Sequence, residues 1–277
     1  VNPSLWIRKW RVVCGDLDVT DIDLSFEVGK TLKPDPNTCA LTLYNLSPKS
    51  RDALSSPRAQ NLLIEAGYAD TTQRPGQIYL GPMRHAIHTI EGPDIVTRIE
   101  SADSEKALGI SRFKLAVGPK APAQAVLQAI AKSLNVKLGN IAQASLKLAA
   151  RGKVLFPVAT AISGQTAKVM TDFCNSAGLE WSVQDGELQI LDAGAALDTN
   201  PYILNAATGL IGSPSVDREG IVNCTTLILR GVRPGLRVIL DSRFVKGVYR
   251  ITEAQYSGET RGDAWYINLV CKPVKAK

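Results

Sequence analysis

Residues 31–54 read TLKPDPNTCALTLYNLSPKSRDAL. Pro34 and Pro36 fix φ and push the residues before them toward extended geometry. A strand pattern, CALTLYNL, follows at once. It stops at Ser47-Pro48, where serine caps and proline takes the first position of a short charged helix. Leu41 and Leu43 share one face of the strand; Ala40, Thr42, Tyr44 and Leu46 share the other. Neither face is strongly polar, which puts such a strand between two layers or at a subunit contact.

Upstream, LWIRKWRVVC and DVTDIDLSFEV predict two strands, the second with Ile22, Leu24, Phe26 and Val28 on one face. Asp21, Asp23 and Glu27 then point to water. Asp16, Asp18, Asp21 and Asp23 lack the central glycine of a calcium loop, whose place is taken by Asp21. Downstream, LLIEAGY, QIYLGPMRHAIHTI and DIVTRIES predict three more strands, broken by turns at ADTTQRPG and EGPD. Residues 1–106 thus carry the pattern of a small β-barrel or sandwich.

The composition changes after residue 106. PKAPAQAVLQAIAKSLNV predicts an amphipathic helix with Ala123, Val126, Leu127, Ile130 and Leu134 on one face. SGQTAKVMTDFCNSAG predicts a second, with Val169, Met170, Phe173 and Ala177 inward and Gly178 as its stop. Asp185-Gly186 is a hairpin turn that pairs Val183 with Leu188 and Trp181 with Ile190. Residues 107–195 therefore read as an α+β unit of two helices and a hairpin. LIGSPSV, IVNCTTLILR, RVILDS, GVYRITEAQYS and DAWYINLVCKPV return to strands over residues 196–277. The loop SGETRGD, longer than a hairpin turn, is expected to project from the sheet.

The chain has 277 residues, 45% of them hydrophobic and 21% charged, enough apolar material for sizeable cores. The net charge is +6, with 12 basic and 14 acidic residues before position 107, 9 and 5 over 107–195, and 11 and 7 after. The excess is dispersed and forms no nucleic-acid arm. No apolar run is long enough for a membrane helix. The N-terminal run lacks the apolar core of a signal peptide, so folding in the cytosol is expected.

Five cysteines, an odd number without CxxC spacing, are expected as buried free thiols. His85 and His88 fall on opposite faces of one strand. No catalytic, metal or phosphate-binding motif stands out. Ser101, Asp103 and Glu105 read as the capped start of a helix. No catalytic residue, metal or cofactor is assigned, and a structural role is favoured over an enzyme.

The run FEVGKTLKPDPNTCALTLYNLSPKSRDAL, residues 26–54, resembles the N-terminal signature of baseplate hub proteins from contractile-tailed bacteriophages. Its elements are Lys30, Leu32, Lys33, Pro34, Pro36 and Asn37, then Tyr44, Asn45, Leu46 and Ser47. EAGY (65–68), residues 91–108, the helix at 122–134, residues 173–191 and residues 247–271 resemble the family in the same order.

The resemblance implies a β-rich α+β fold. Two tail-tube-like β-barrel domains, 1–106 and 196–277, would be separated by a small α+β insert domain, 107–195. It implies a homotrimer whose two barrels per chain give a pseudo-six-fold ring. That ring would join a tail tube or tube-initiator protein to a central spike, with DNA only in transit and no membrane insertion. Tape-measure and wedge or sheath-associated baseplate proteins are further expected partners. Assembly in the host bacterial cytoplasm and a place in the virion tail baseplate are expected too. The related spike-hub proteins of type VI secretion use the same logic. In this reading the prolyl elbow holds residues 39–46 against a neighbouring barrel, with Leu41, Leu43 and Tyr44 as subunit contacts. The alternative is a β-rich module for cell-wall polysaccharide, with or without hydrolase activity; an exposed aromatic row would favour it.

Overall fold

The structure, a computed structural model, describes residues 7–55, 60–69, 75–152 and 155–274. The first section runs β1 (Arg8–Cys14), β2 (Leu17–Val19), β3 (Leu24–Thr31), β4 (Thr38–Tyr44), α1 (Pro48–Leu54), β5 (Asn61–Tyr68), β6 (Gly76–Glu91) and β7 (Asp94–Ala102). Alternation decides the faces: in β3, Leu24, Phe26 and Val28 are buried and Glu27 is exposed. α1 starts as its sequence predicts. Ser47 Oγ accepts from the Ser50 amide, and Pro48 follows. The turn expected over residues 69–76 lies mostly outside the described residues.

The middle section holds α2 (Glu105–Ile110), β8 (Arg112–Val117), α3 (Ala123–Ser133), α4 (Ile141–Ala150), β9 (Thr160–Gln165), α5 (Thr166–Ala177), β10 (Leu179–Gln184) and β11 (Glu187–Asp192). The predicted apolar faces of α3 and α5 are buried, and Gly178 closes α5 at φ +70°. The β10–β11 hairpin has the predicted register, Val183 opposite Leu188 and Trp181 opposite Ile190. Helix α4 and the β8–β9 pair are additions to the expected two helices and hairpin. These elements enclose a core of their own, running from Leu108 to Ile190.

The last section is β12 (Tyr202–Leu204), β13 (Leu210–Val216), β14 (Val222–Leu227), β15 (Arg237–Asp241), β16 (Lys246–Glu259) and β17 (Trp265–Pro273). Its strands do not stand apart from those of the first section. The sheet runs β13-β14-β17-β16-β3-β4-β7-β6-β5-β1-β2, with β15 and then β12 branching from β16. β3 pairs with β16 from Ser25 opposite Glu259 to Thr31 opposite Glu253, and one core serves both sections. The β-rich α+β character expected of the chain is present; the arrangement as two separate barrel domains is not confirmed, and among the described residues the strands close no barrel. The physical reason the two sections merge is that β3 has a second row of backbone N–H and C=O groups to pair, and β16 takes them. At the seam Gly258 leaves room for the Phe26 ring, which packs edge-on against Trp265 at 5.5 Å.

The loop after β16 does not project. Arg8 donates to the carbonyls of Glu259 at 2.7 Å and Gly262 at 2.6 Å, the Thr260 amide donates to Leu24 O, and Arg261 pairs with Asp23. The five cysteines are free and buried.

Candidate assembly site

The prolyl elbow between β3 and β4 delivers Asn37, which is 1% exposed, to a place where four segments meet. Asn37 Oδ1 accepts from the Thr31 amide at 3.1 Å and so closes the elbow on itself. Its Nδ2 donates to Val183 O at 2.9 Å, with Gln184 Oε1 and Asp103 Oδ2 each at 3.4 Å. Its carbonyl accepts from the Asp103 amide at 2.8 Å. One side chain thus ties the β3–β4 elbow to the end of β7 and to the β10–β11 hairpin.

The hairpin tip is held as firmly. Asp185 takes Lys30 Nζ at 2.7 and 2.8 Å and the Leu80 amide at 3.1 Å. Gly186 N donates to Asp103 Oδ2 at 3.1 Å, and Gln184 Nε2 donates to Thr31 O at 2.7 Å. Asp185 (φ +54°) and Gly186 (φ +79°) have the two left-handed residues of a tight hairpin turn, so the tip is narrow enough to enter. Burial pulls the Lys30 ammonium down from its ordinary pKa, against the opposing pull of Asp185. Burial pushes the Asp103 carboxyl up, against hydrogen bonds from Ser104 and Gly186.

The hairpin has two buried faces of different chemistry. Trp181, Val183, Leu188 and Ile190 pack among the helices. Ser182, Gln184 and Gln189, at 1%, 1% and 6% exposure, face the sheet. Gln189 Nε2 donates to Pro234 O at 3.2 Å, beside Gly235, where a Cβ would meet the Gln189 amide. Arg250 clamps Glu180 at 2.6 and 3.2 Å and donates to Ala195 O at 3.2 Å. The two cores are therefore joined through a hydrogen-bonded layer. Such a layer fixes one orientation because each polar group must find its partner.

The predicted contact residues separate. Leu41 and Leu43 are 1% and 0% exposed and pack in the chain's own core. β4 lies between β3 and β7 with one face inward, and both leucines take that face. Tyr44 lies on the opposite face, half-buried, in register with Val96. Asp103 is a junction residue and not a helix cap; Ser101 bonds Tyr79 and Pro82 O, and Ser104 enters α2 without a side-chain cap. His85 and His88 stay apart, beside Glu100 and Thr97 respectively. Among the described residues no group of three or more His, Cys, Asp or Glu side chains converges for a metal.

A family model described as baseplate hub gp41 matches residues 15–271. No curated protein sequence matches. Among solved structures, the 43 kDa tail protein of prophage MuSo2 from Shewanella oneidensis is 10% identical, with TM-score 0.64 over 96% of this chain and 98% of that one. The tail protein from Neisseria meningitidis MC58 is 12% identical, with TM-score 0.63 over 96% and 97%. The E. coli c3393 protein, a type VI secretion component with structural similarity to the T4 bacteriophage tail proteins gp27 and gp5, is 12% identical, with TM-score 0.59 over 95% and 77%. At these identities the likeness is one of fold. With the family model spanning nearly the whole chain, the protein belongs to the baseplate hub gp41 family of phage-tail structural proteins.

Proposed function

We propose that three copies of this chain close into a pseudo-six-fold ring that joins the tail tube to a central spike and surrounds the path of the DNA. The observation that carries this reading is the seam between β3 and β16. It carries two strand-rich sections of each chain on one continuous wall, so three chains would bring six such sections to the ring. The helical segment, fixed by the Lys30–Asp185 and Asn37 contacts, sits at a set orientation on that wall.

The sheet face turned away from the core supports the channel role. Thr225, Asn268, Gln255, Gly29 and Thr38 lie in one register row across it. Glu27, Glu100, Glu253 and Glu259 share the face with Arg98, in register beside Thr42 and paired with Glu91, with Lys33, paired with Glu253, and with Lys272 on β17. Amides, hydroxyls and carboxylates give DNA phosphates little to hold, which suits passage over binding. Tyr44, on the same face, is the remaining proposed subunit contact. The tube or tube-initiator protein, the spike, and the tape-measure and wedge proteins are the proposed partners, and host cytoplasm the proposed place of assembly. Polysaccharide binding finds no such support: Phe244, 72% exposed, is the one largely exposed aromatic among the described residues, and they form no aromatic row.

Electron microscopy of the purified chain, alone and mixed with its tube and spike proteins, tests the proposal. Annular particles with an open centre are expected. Particles of single-chain size in every mixture would contradict it.

A further inference from the structure

Where the helical segment meets the sheet, three cations stand in one register row. Arg237 on β15 lies directly opposite Arg250 on β16, and Arg250 directly opposite Lys272 on β17. Opposed residues of neighbouring strands project to the same sheet face, with Cβ atoms about 4.5–5.5 Å apart, and like charges so placed repel. The contacts on this row supply one carboxylate, Glu180, which takes both Nη atoms of Arg250 at 2.6 and 3.2 Å. Neither Arg237 nor Lys272 has an ion pair or a side-chain hydrogen bond among the described residues. Three cations and one carboxylate leave two positive charges.

The hydrogen bonding of the row is incomplete as well. Among the described residues, two buried side-chain nitrogen or oxygen atoms lack any partner: Nε of Arg237 and Nε of Arg250. Both belong to the row. A buried donor without an acceptor costs free energy, and two in directly opposed side chains call for a shared acceptor. Arg250 is 8% exposed, Arg237 is half-buried and Lys272 is exposed. The middle cation is therefore covered, and the site opens to water at its flanks.

These features define the ligand. Guanidinium groups recognise oxyanions through paired N–H donors. The Arg237 fork is whole, Arg250 adds its Nε–H, and Lys272 adds an ammonium. A carboxylate brings two oxygens and one charge, and Glu180 already fills that part on the Nη side of Arg250. A tetrahedral oxyanion brings four oxygens, and as a dianion it cancels the two charges left over. We propose that Arg237, Arg250 and Lys272 form a binding site for a small divalent oxyanion of the phosphate class. Bound there, the anion ties β15 to β16 and β17 beside the Glu180 clamp and braces the junction between sheet and helical segment. Phosphate groups also line DNA, but a duplex backbone cannot reach a guanidinium so covered, so the ligand is the free anion. The site needs one chain alone and is read without assembly.

Titration calorimetry of the full chain with inorganic phosphate, at ionic strength held constant with chloride, tests it. One saturable site per chain is expected, with a rise in the thermal unfolding midpoint as phosphate is added. Arg237→Gln is expected to weaken phosphate binding about tenfold or more. It is also expected to leave the midpoint in phosphate-free buffer unchanged or higher, because it removes a like charge. A guanidinium with only a packing role would lower that midpoint instead. Arg84→Gln, at an arginine paired with Glu105 elsewhere on the sheet, is expected to leave binding unchanged. Sulfate should displace phosphate, and acetate at the same concentration should not. The absence of saturable binding, or equal binding by the unmodified chain and Arg237→Gln, would overturn the site. Displacement by acetate would overturn its divalent class. Displacement by a short DNA duplex at equal phosphate concentration would overturn the assignment to a free anion.

Discussion

Lys30 brings an ammonium group into a site where the whole residue is 4% exposed, and Asp185 meets it with both oxygens. Removing one partner of a buried pair strands the other, at a cost of about 3–5 kcal/mol. Lys30→Met is therefore expected to lower unfolding free energy by about that much, and Lys30→Met with Asp185→Asn to recover much of it. Asparagine keeps the left-handed turn position and removes the stranded charge. Urea unfolding of the full cycle measures the coupling, and simple additivity would contradict it. Asp103 gives a pH signature. Its folded pKa is raised by burial, so its contribution to stability is complete below the unfolded value near 3.9 and is lost as pH rises through the folded value. Asp103→Asn should flatten the stability–pH slope over that window; an unchanged slope would remove Asp103 as its source.

At the scale of elements, the seam between β3 and β16 depends on a missing side chain. Gly258→Ala would press a methyl into the Phe26 ring and cost about 1–3 kcal/mol, read as a lower denaturation midpoint. An unchanged midpoint would mean the seam tolerates a methyl there. The sequence makes the local elements legible: the Ser47-Pro48 start of α1, the stripes of α3 and α5, and the register set by Asp185-Gly186 all depend on residues a few positions apart. The seam is not legible that way, because Phe26 and Gly258 meet only once the chain has folded. The polar face of β10–β11 was missed for a related reason. Ser182, Gln184 and Gln189 look like a solvent face until their partners, Thr31, Asn37 and Pro234, are placed beside them. Leu41 and Leu43 show the converse: an apolar strand with no polar face suggested a subunit contact, but its inner face is ordinary core. Helix α4 did carry a signal, since Ile141, Ala144, Ser145 and Leu148 have helical spacing and are buried.

At the scale of the molecule, a hub must be rigid within the subunit and adhesive at its edges. The polar junction meets the first need. If the junction sets the helical segment's orientation, Asn37→Ala should loosen that segment against the sheet without unfolding either core. Hydrogen exchange should then rise first at the Gly186 and Leu80 amides, which donate to Asp103 and Asp185; a uniform rise across both cores would contradict this. The central claim, that this chain is a self-assembling hub subunit, is tested most directly by native mass spectrometry of the unmodified protein over a concentration series. The account predicts a species at three times the 29.8 kDa chain mass, growing with concentration at the expense of the single chain. A spectrum that holds only the 29.8 kDa species throughout would contradict it.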